Sequence, residues 1–350
     1  MNHDFAADLL AWFEAHGRHD LPWQTEPTAY RVWVSEIMLQ QTQVATVIPY
    51  YQQFMGQFPS VDDLAAAPLD RVLHLWSGLG YYARARNLHS AAVRIHTEFG
   101  GVFPDSVEAL QALPGIGRST AGAIVSLAFD RTAPILDGNV KRVLTRYHAI
   151  EGWPGTTAVA KQLWQLAEAA ASKRQPAAYT QAIMDLGATL CTRRQPACDV
   201  CPLQTDCRAS NMGNPHDFPT TRPKRSRPTR HQSVVVAQRD DGAVLLERRP
   251  DSGVWGGLWS FPELAPDDVA EAWSQARLGT QPVRVEKLAV LNHTFTHFNL
   301  VLEPVLIAVA PAVVMDRPDW LWYKLGSNSP QAVGLPAPVR TLLRATNREA

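Results

Sequence analysis

Four cysteines are the clearest candidates for chemistry, because the rest of the chain contains none. Their spacing is C-x6-C-x2-C-x5-C, and their positions are Cys191, Cys198, Cys201 and Cys207. Disulfide bridges are normally spread over a secreted fold, whereas thiols this close together are typical of a metal site. The spacing alone leaves tetrahedral zinc and an iron–sulfur cluster open. Arg193 and Arg194 lie beside the cysteines and are candidates to offset thiolate charge or to contact phosphate.

Two carboxylates stand in unusual surroundings. Glu36 lies in VSEIMLQQTQV among apolar and amide side chains, and Asp137 follows an apolar run in ILDGNVKRV. A carboxyl group in apolar surroundings has a raised pKa and acts as an acid near neutral pH. A carboxylate beside the N–H groups of a helix start stays ionised, and we expect Asn139 to cap that helix. This division of roles is what cleavage of an N-glycosidic bond needs.

The segment LPGIGRSTAGAI, residues 113–124, has the pattern of a helix–hairpin–helix. Gly115 and Gly117 permit a tight turn with bare backbone, and the next helix then presents free N–H groups. Such a hairpin holds a DNA phosphate without reading the sequence. An ordinary turn between two helices is the alternative that this segment leaves open on its own.

The elements that must position these groups change in type along the chain. Helical spacing dominates before residue 214, with helices predicted near 88–99 and at 118–129. Strand-like runs follow at 234–237, 244–246, 295–302 and 305–310, the first two around the hairpin signal Asp241-Gly242, with a helix near 267–276. We therefore predict an all-α domain over 1–214, a Pro-rich linker over 215–232, and an α+β domain over 233–350.

The charge distribution narrows the possible classes of protein. Over all 350 residues the 33 basic and 33 acidic side chains cancel, which argues against a broadly basic nucleic-acid binder. The predicted linker, however, carries five basic residues and one acidic residue. The most apolar runs, 119–129 and 305–315, are too short to span about 30 Å of hydrocarbon, so we predict no membrane contact. No secretory signal is visible, so we expect a cytoplasmic protein, associated with the nucleoid if bacterial.

Together, these motifs resemble a known family. Residues 1–214 are similar to the helix–hairpin–helix DNA glycosylases that carry a 4Fe–4S cluster, and most similar to the adenine DNA glycosylases of the MutY type. The resemblance rests on LPWQ at 21–24, SEIMLQQTQVATVIPYY at 35–51, GLGYYARARNL at 78–88, the hairpin segment, ILDGNVKRV and the cysteines. It continues through SGVWGGLWSFPE at 252–263 and HTFTHF at 293–298. The resemblance, and not the spacing, implies a 4Fe–4S cluster rather than zinc.

The resemblance also implies roles for individual residues. The family removes adenine mispaired with 8-oxoguanine or guanine in duplex DNA, after the base has left the stack. Glu36 would protonate adenine and then activate water, Asp137 would stabilise the sugar cation, and Asn139 would orient sugar or water. Tyr81 would be the wedge inserted beside the lesion, and Gln40 or Gln41 would fill the space that the base vacates. Trp23 and Asp185 would line the adenine pocket. The family resemblance also predicts a monomer.

The residue at position 119 predicts whether the chain also cleaves the DNA strand. Ser119 stands where related glycosylase/lyases of the endonuclease III type carry lysine. A lysine amine forms a Schiff base and permits strand cleavage, and serine does not, so we predict a monofunctional glycosylase.

The last domain resembles a Nudix fold that has lost its hydrolase signature. Gly257 and Glu263 match the first part of that signature, but the paired acids that would bind metal do not follow. The family uses this domain to recognise 8-oxoguanine through a Phe-Ser-His loop. In this chain the loop is Phe295, Thr296 and His297, where threonine keeps the hydroxyl and adds a methyl group.

Three other functions remain as alternatives. An endonuclease III-like glycosylase for oxidised pyrimidines is disfavoured by Ser119 and by the large C-terminal domain. A DNA-binding module that senses redox state is disfavoured by the Glu36 and Asp137 pair, since phosphate binding needs no buried acids. A hydrolase of free nucleotides is disfavoured by the incomplete Nudix signature.

Overall fold

The computed structural model describes residues 4–222, 226–310, 317–324 and 332–346. Contacts divide the chain into two compact units, residues 1–66 with 87–224 and residues 67–86 with 225–350. The division differs from the predicted domain bounds at 67–86, which belong with the second unit. Within the predicted linker, residues 223–225 lie outside the described residues, and the first strand begins at Thr229.

The chain up to residue 222 is helical. Its α-helices are α1 (Phe5–His16), α2 (Ala29–Leu39), α3 (Val44–Gln57), α4 (Val61–Ala66), α5 (Leu69–Leu75), α6 (Ala83–Phe99), α7 (Val107–Gln111), α8 (Arg118–Phe129), α9 (Gly138–His148), α10 (Thr157–Ala170), α11 (Pro176–Thr189) and α12 (Arg208–Asn211). Short 3-10 helices lie at Cys198–Val200 and Pro215–Asp217. The predicted end of α6 and both bounds of α8 are confirmed, because Gly100 follows α6 and a left-handed Asp130 ends α8.

One core of the first unit lies where α9, α10 and α11 pack with α1. Leu9, Leu144, Leu163 and Ile183 are among its completely or almost completely buried members. Burying one such side chain stabilises the fold by about 1.5–3 kcal/mol. Gly122 in α8 permits a close approach to the segment before α9, because a Cβ there would lie 2.4 Å from the Pro134 carbonyl oxygen.

The second unit is built on one mixed sheet. Its strands are β1 (Thr229–Arg239), β2 (Val244–Arg248), β3 (Trp259–Ser260), β4 (Glu263–Leu264), β5 (Arg284–Lys287), β6 (Leu291–Thr294), β7 (Asn299–Val309) and β8 (Trp320–Tyr323). The main order is β3-β2-β1-β7-β5; β4 also pairs with β1, β6 with β7, and β8 with β2. The β1 and β7 pair is parallel, and the other pairs are antiparallel.

Helices α13 (Ala270–Leu278) and α14 (Ala337–Thr346) cover opposite faces of this sheet. Successive side chains of a strand point to opposite faces, and β1 shows this alternation. Val234 and Val236 join the core that contains Leu343 of α14, whereas Val235 joins the core that contains Trp273 of α13. An all-α unit followed by an α+β unit confirms the predicted fold class.

The strand predictions need two corrections. The two strands predicted at 295–302 and 305–310 are one continuous strand, β7, which includes Pro304. The nitrogen of Pro304 faces the same side as its carbonyl oxygen, which accepts from the Leu288 N–H at 2.9 Å in the gap between β5 and β6. The proline is tolerated there because no paired strand needs its missing N–H. Phe295 precedes β7 and lies in the turn after β6. None of the helices described in the structure has both the length and the apolar character needed to cross a membrane.

Candidate active site

A cavity of about 950 Å³ in the first unit gathers the three predicted catalytic residues and five other predicted site residues. The predicted residues on its wall are Trp23, Glu36, Gln40, Gln41, Ser119, Asp137, Asn139 and Arg193. Sequence reasoning missed Arg18, Arg142 and Gln181, which also line it. The structure therefore brings together two carboxylates that are about a hundred positions apart in the chain.

Helix ends place the two carboxylates at this cavity. Glu36 lies in the last turn of α2, and Asp137 is the N-cap of α9. The Asp137 carboxylate accepts from the Val140 N–H at 2.8 Å, so Asp137 caps the helix and the predicted capping role of Asn139 is wrong. An aspartate at this position accepts a bond that the helix would otherwise leave unmade. Asn139 is instead the second residue of the helix.

The electrostatics separate the two acids. Burial, followed by the nearby Asp137 charge, raises the pKa of Glu36 to about 8. Burial also raises the pKa of Asp137, but the Val140 and Asn139 N–H groups and the Arg142 charge oppose that rise. The two N–H groups and Arg142 thus favour the charged form of Asp137, whereas both causes that act on Glu36 favour its protonated form.

Arg142 connects the start of α9 with the end of α11. Its Nη2 donates to the Asn139 side-chain oxygen at 2.9 Å and to the Gly187 carbonyl oxygen at 2.6 Å, while its Nε donates to the Cys191 carbonyl oxygen at 2.7 Å. These bonds fix the amide plane of Asn139 at the cavity wall. Helix α11 comes so close that a Cβ at Gly187 would lie 2.6 Å from the Asn139 Cβ.

Ser119 and Trp23 have clear local roles in this wall. The Ser119 hydroxyl accepts from the Leu136 N–H at 2.9 Å, so it holds the backbone immediately before Asp137. Trp23 is 5% exposed and packs edge-on against Tyr51 at 5.4 Å between ring centroids. Gln41 has a left-handed backbone, with φ of 58°, at the turn that follows α2.

Asp185 is not among the residues that line the cavity. Its carboxylate is completely buried and accepts from the Arg18 backbone N–H at 2.7 Å, from Arg18 Nε at 3.0 Å and from Gln181 Nε2 at 2.8 Å. A buried carboxylate satisfied in this way is part of the framework. Asp185 therefore acts through Arg18 and Gln181, which do face the cavity, and its predicted place in the wall is wrong.

The hairpin has the geometry of an anion site. Gly115 adopts φ of 77°, and a Cβ there would lie 2.7 Å from the Asn87 Cβ. Gly117 is the N-cap of α8, no side chain caps that end of the helix, and the space around Gly117 is open. The backbone N–H groups at this end are therefore available to an anion. Arg193 and Arg194 are both exposed, and only Arg193 reaches the cavity.

The four cysteines line a second cavity, together with apolar side chains that include Val143, Leu186 and Leu203. The thiols are free, and within the described residues no three Cys, His, Asp or Glu side chains form a closed metal-ligand group. The donor set nevertheless fits a group held by four thiolates. Burial and the other three cysteines all act to raise the pKa of Cys201, to about 11 despite one opposing backbone bond. Arg146 donates from Nη1 to the Cys191 sulfur at 3.3 Å.

The predicted lesion-reading residues lie in the second unit. Phe295, Thr296 and His297 form the turn between β6 and β7, which the Phe295 N–H closes by donating to the Phe298 carbonyl oxygen at 2.9 Å. The Phe295 ring stacks on Phe298 with centroids 4.5 Å apart, and Thr296 is exposed. The Tyr81 hydroxyl lies 3.1 Å from the Thr296 hydroxyl, so the predicted wedge and the predicted reader are in contact.

Family models match both parts of the chain. The model described as HhH-GPD superfamily base excision DNA repair protein matches residues 34–169, and the NUDIX domain model matches residues 233–345. An adenine DNA glycosylase of Buchnera aphidicola subsp. Baizongia pistaciae is 36% identical over 343 residues, which cover 97% of this chain and 95% of that protein. The chain belongs to the adenine DNA glycosylase family. The predicted resemblance is confirmed, and the chain is an enzyme of base-excision repair that hydrolyses N-glycosyl bonds.

A mammalian relative agrees with this membership, and two solved structures share the fold. The Mus musculus adenine DNA glycosylase is 37% identical, over 91% of this chain and 74% of that protein. A thermostable thymine-DNA glycosylase matches with a TM-score of 0.54 and 27% identity, over 59% of this chain and 95% of that one. An endonuclease III in complex with DNA matches with a TM-score of 0.51 and 22% identity, which shows a shared fold.

Proposed function

We propose that this enzyme is a monofunctional glycosylase that removes adenine opposite 8-oxoguanine or guanine in duplex DNA. The observation that carries the proposal is the pair of acids in one cavity, where burial raises the pKa of Glu36 to about 8 and helix N–H groups oppose the rise of the Asp137 pKa. One group can then give a proton while the other stays charged.

The reaction follows from these two states. Adenine leaves the stack, at a cost of a few kcal/mol, and enters the cavity beside Trp23. Glu36 donates its proton to the adenine ring, and the glycosidic bond breaks with its electron pair moving to the base. Asp137 stabilises the positive sugar, and Asn139, held by Arg142, orients sugar or water. The Glu36 carboxylate then takes a proton from the attacking water, which restores the acid.

Each contribution has an expected size. General acid–base catalysis contributes about 10²- to 10⁴-fold, so electrostatic stabilisation by Asp137 must supply much of the remainder. The Ser119 hydroxyl already accepts the Leu136 N–H and offers no amine, so no Schiff base with the sugar forms. Gln40 or Gln41 fills the space that the flipped base vacates.

Recognition uses parts of both units. The hairpin at Gly115 and Gly117, with Arg193 and Arg194, holds phosphates without reading sequence. In the second unit Tyr81 is the wedge, and the turn formed by Phe295, Thr296 and His297 reads 8-oxoguanine through the Thr296 hydroxyl.

A 4Fe–4S cluster, held by Cys191, Cys198, Cys201 and Cys207, completes the proposal. It would fasten the loop that carries Arg193 and Arg194 and would leave the hydrolysis to the cavity residues. We propose that the enzyme acts as a monomer on DNA in the cytoplasm.

Duplexes that carry adenine opposite 8-oxoguanine, guanine, thymine or cytosine test the proposal. Free adenine is expected chiefly from the first two, without strand cleavage. Glu36→Gln is expected to bind the 8-oxoguanine duplex and to release no adenine. Equal release from all four duplexes would contradict the specificity, and unchanged release by Glu36→Gln would contradict the mechanism. His297→Ala is expected to slow excision opposite 8-oxoguanine more than opposite guanine.

A further inference from the structure

The turn that presents Tyr81 has an unfavourable backbone. Gly78 and Gly80 adopt φ of 117° and 72°, and Tyr81 itself adopts φ of 47°. A left-handed conformation is unfavourable for a residue with a Cβ, and it persists only where the surroundings hold it. Tyr81 is 48% exposed, so contacts from a packed core do not supply this restraint.

One side chain restrains the turn at several points. The Arg84 Nη2 donates to the Leu79 carbonyl oxygen at 3.1 Å and to the Gly80 carbonyl oxygen at 3.2 Å. The same guanidinium lies over the Tyr81 ring, 5.6 Å from its centroid, and over the Trp76 ring at 5.3 Å. Trp76 is completely buried and its Nε1 also donates to the Gly80 carbonyl oxygen, at 3.2 Å.

We propose that Arg84 is the positioning residue that holds Tyr81 ready for insertion into DNA. The inference rests on the proposed wedge role of Tyr81 and extends it to a residue that is not expected to touch the lesion. Arg84 fixes the two carbonyl groups that precede Tyr81 and covers one face of its ring. Because these groups are ordered before DNA binds, the insertion step does not carry the entropy cost of ordering them.

The contact at the other end of Tyr81 complements this restraint. The Thr296 hydroxyl meets the Tyr81 hydroxyl in an exposed position, where water competes for the same bond. Arg84 lies in the half-buried base of the turn, and its burial lowers its pKa to about 10, so it stays charged at neutral pH. The base of the turn is therefore the stronger restraint, and the tip can exchange its partner for the lesion.

A double-mutant cycle with a fluorescent duplex tests the proposal. The probe is a duplex in which 8-oxoguanine is opposite a 2′-fluorinated adenosine, and 2-aminopurine is the base next to 8-oxoguanine. The fluorinated sugar prevents hydrolysis, so the fluorescence follows insertion alone. Arg84→Met keeps the length of the stem and removes the donors, and we expect it to slow the fluorescence rise about tenfold, the size of one lost cation–π contact with its hydrogen bonds. Arg94→Met, at an exposed arginine of α6 paired with Glu98, is the matched control and should match the wild type.

The decisive comparison is made in the Tyr81→Ala background. There, Arg84→Met is expected to change the rate less than twofold, because the side chain that it positions is gone. A full tenfold effect in that background, or wild-type behaviour of Arg84→Met alone, would overturn the inference. If Tyr81→Ala by itself leaves the fluorescence rise and excision unchanged, the wedge role is wrong and the inference falls with it.

Arg84→Lys guards against a variant that fails to fold. It keeps the charge but has no planar fork for both carbonyl oxygens, so an intermediate insertion rate with an unchanged thermal unfolding midpoint supports the inference. An insertion rate of Arg84→Lys equal to that of the wild type would show that charge alone suffices and would contradict the proposed positioning role of Arg84.

Discussion

Burial of Glu36 should make the free energy of unfolding depend on pH. Its pKa rises from 4.5 to about 8 on folding, so between these values the folded chain keeps a proton that the unfolded chain releases. The free energy of unfolding therefore falls as the pH rises through this window, by at most about 1.4 kcal/mol per pH unit. Glu36→Gln removes the titrating group and, with it, this loss.

The size of the effect depends on the pH chosen. At pH 5.5, one unit above the ordinary value, glutamine should stabilise the first unit by about 1 kcal/mol. At pH 7.5 the gain should approach about 4 kcal/mol, because the window between the two pKa values is then almost fully crossed. For a unit of this size each kcal/mol shifts the midpoint by roughly 2–4 °C, so several degrees separate the two conditions.

The assay is thermal unfolding of wild type and Glu36→Gln at both pH values, with adenine excision measured on the same preparations. Glu14→Gln, which removes one negative charge from the exposed side of α1, is the matched control. Glu36→Gln should lose excision and gain stability, and the gain should be larger at pH 7.5. A gain that is equal at both pH values, or larger at pH 5.5, would refute the proposed protonation state.

Three further outcomes follow from the same site. Single-turnover excision should fall as the pH rises through about 8, because Glu36 then loses the proton that it donates; a rate still rising at pH 9 would contradict this. Gly187→Ala should cost about 1–3 kcal/mol of stability and slow excision by displacing Asn139, whereas Gly56→Ala, in open space, should do neither. Ser119→Lys should gain a DNA adduct that borohydride traps, which the wild type should lack.

Features that depend on residues close together in the sequence, such as helix bounds and fold class, were predicted well. The bounds of α8 follow from the glycine turn before it and from apolar spacing within it, and both are visible in the sequence. The all-α and α+β classes follow from the change of hydrophobic period near residue 214. Placing Glu36 and Asp137 in one cavity was possible through the family resemblance, because no short-range pattern links positions 36 and 137.

Sequence reasoning missed features that depend on contacts between residues far apart in the chain. Asp185 can be completely buried because Arg18, 167 positions away, supplies three of its hydrogen bonds. The spacing of Asn139 and Arg142, three residues apart on a helix, was a signal that the sequence did contain. The grouping of residues 67–86 with the second unit depends on distant bonds, such as the Tyr82 hydroxyl donating to the Leu335 carbonyl oxygen at 3.1 Å.

The two acids differ because they occupy opposite ends of helices. Glu36 lies in the last turn of α2, where the helix dipole offers a carboxylate no stabilisation, and burial therefore drives its pKa up. Asp137 begins α9, where the Val140 N–H binds the anion directly. Without the N–H groups at the start of α9, burial of Asp137 would raise its pKa unopposed by backbone bonds. The helix directions, and not the acid types, thus favour the proposed division into proton donor and stabilising anion.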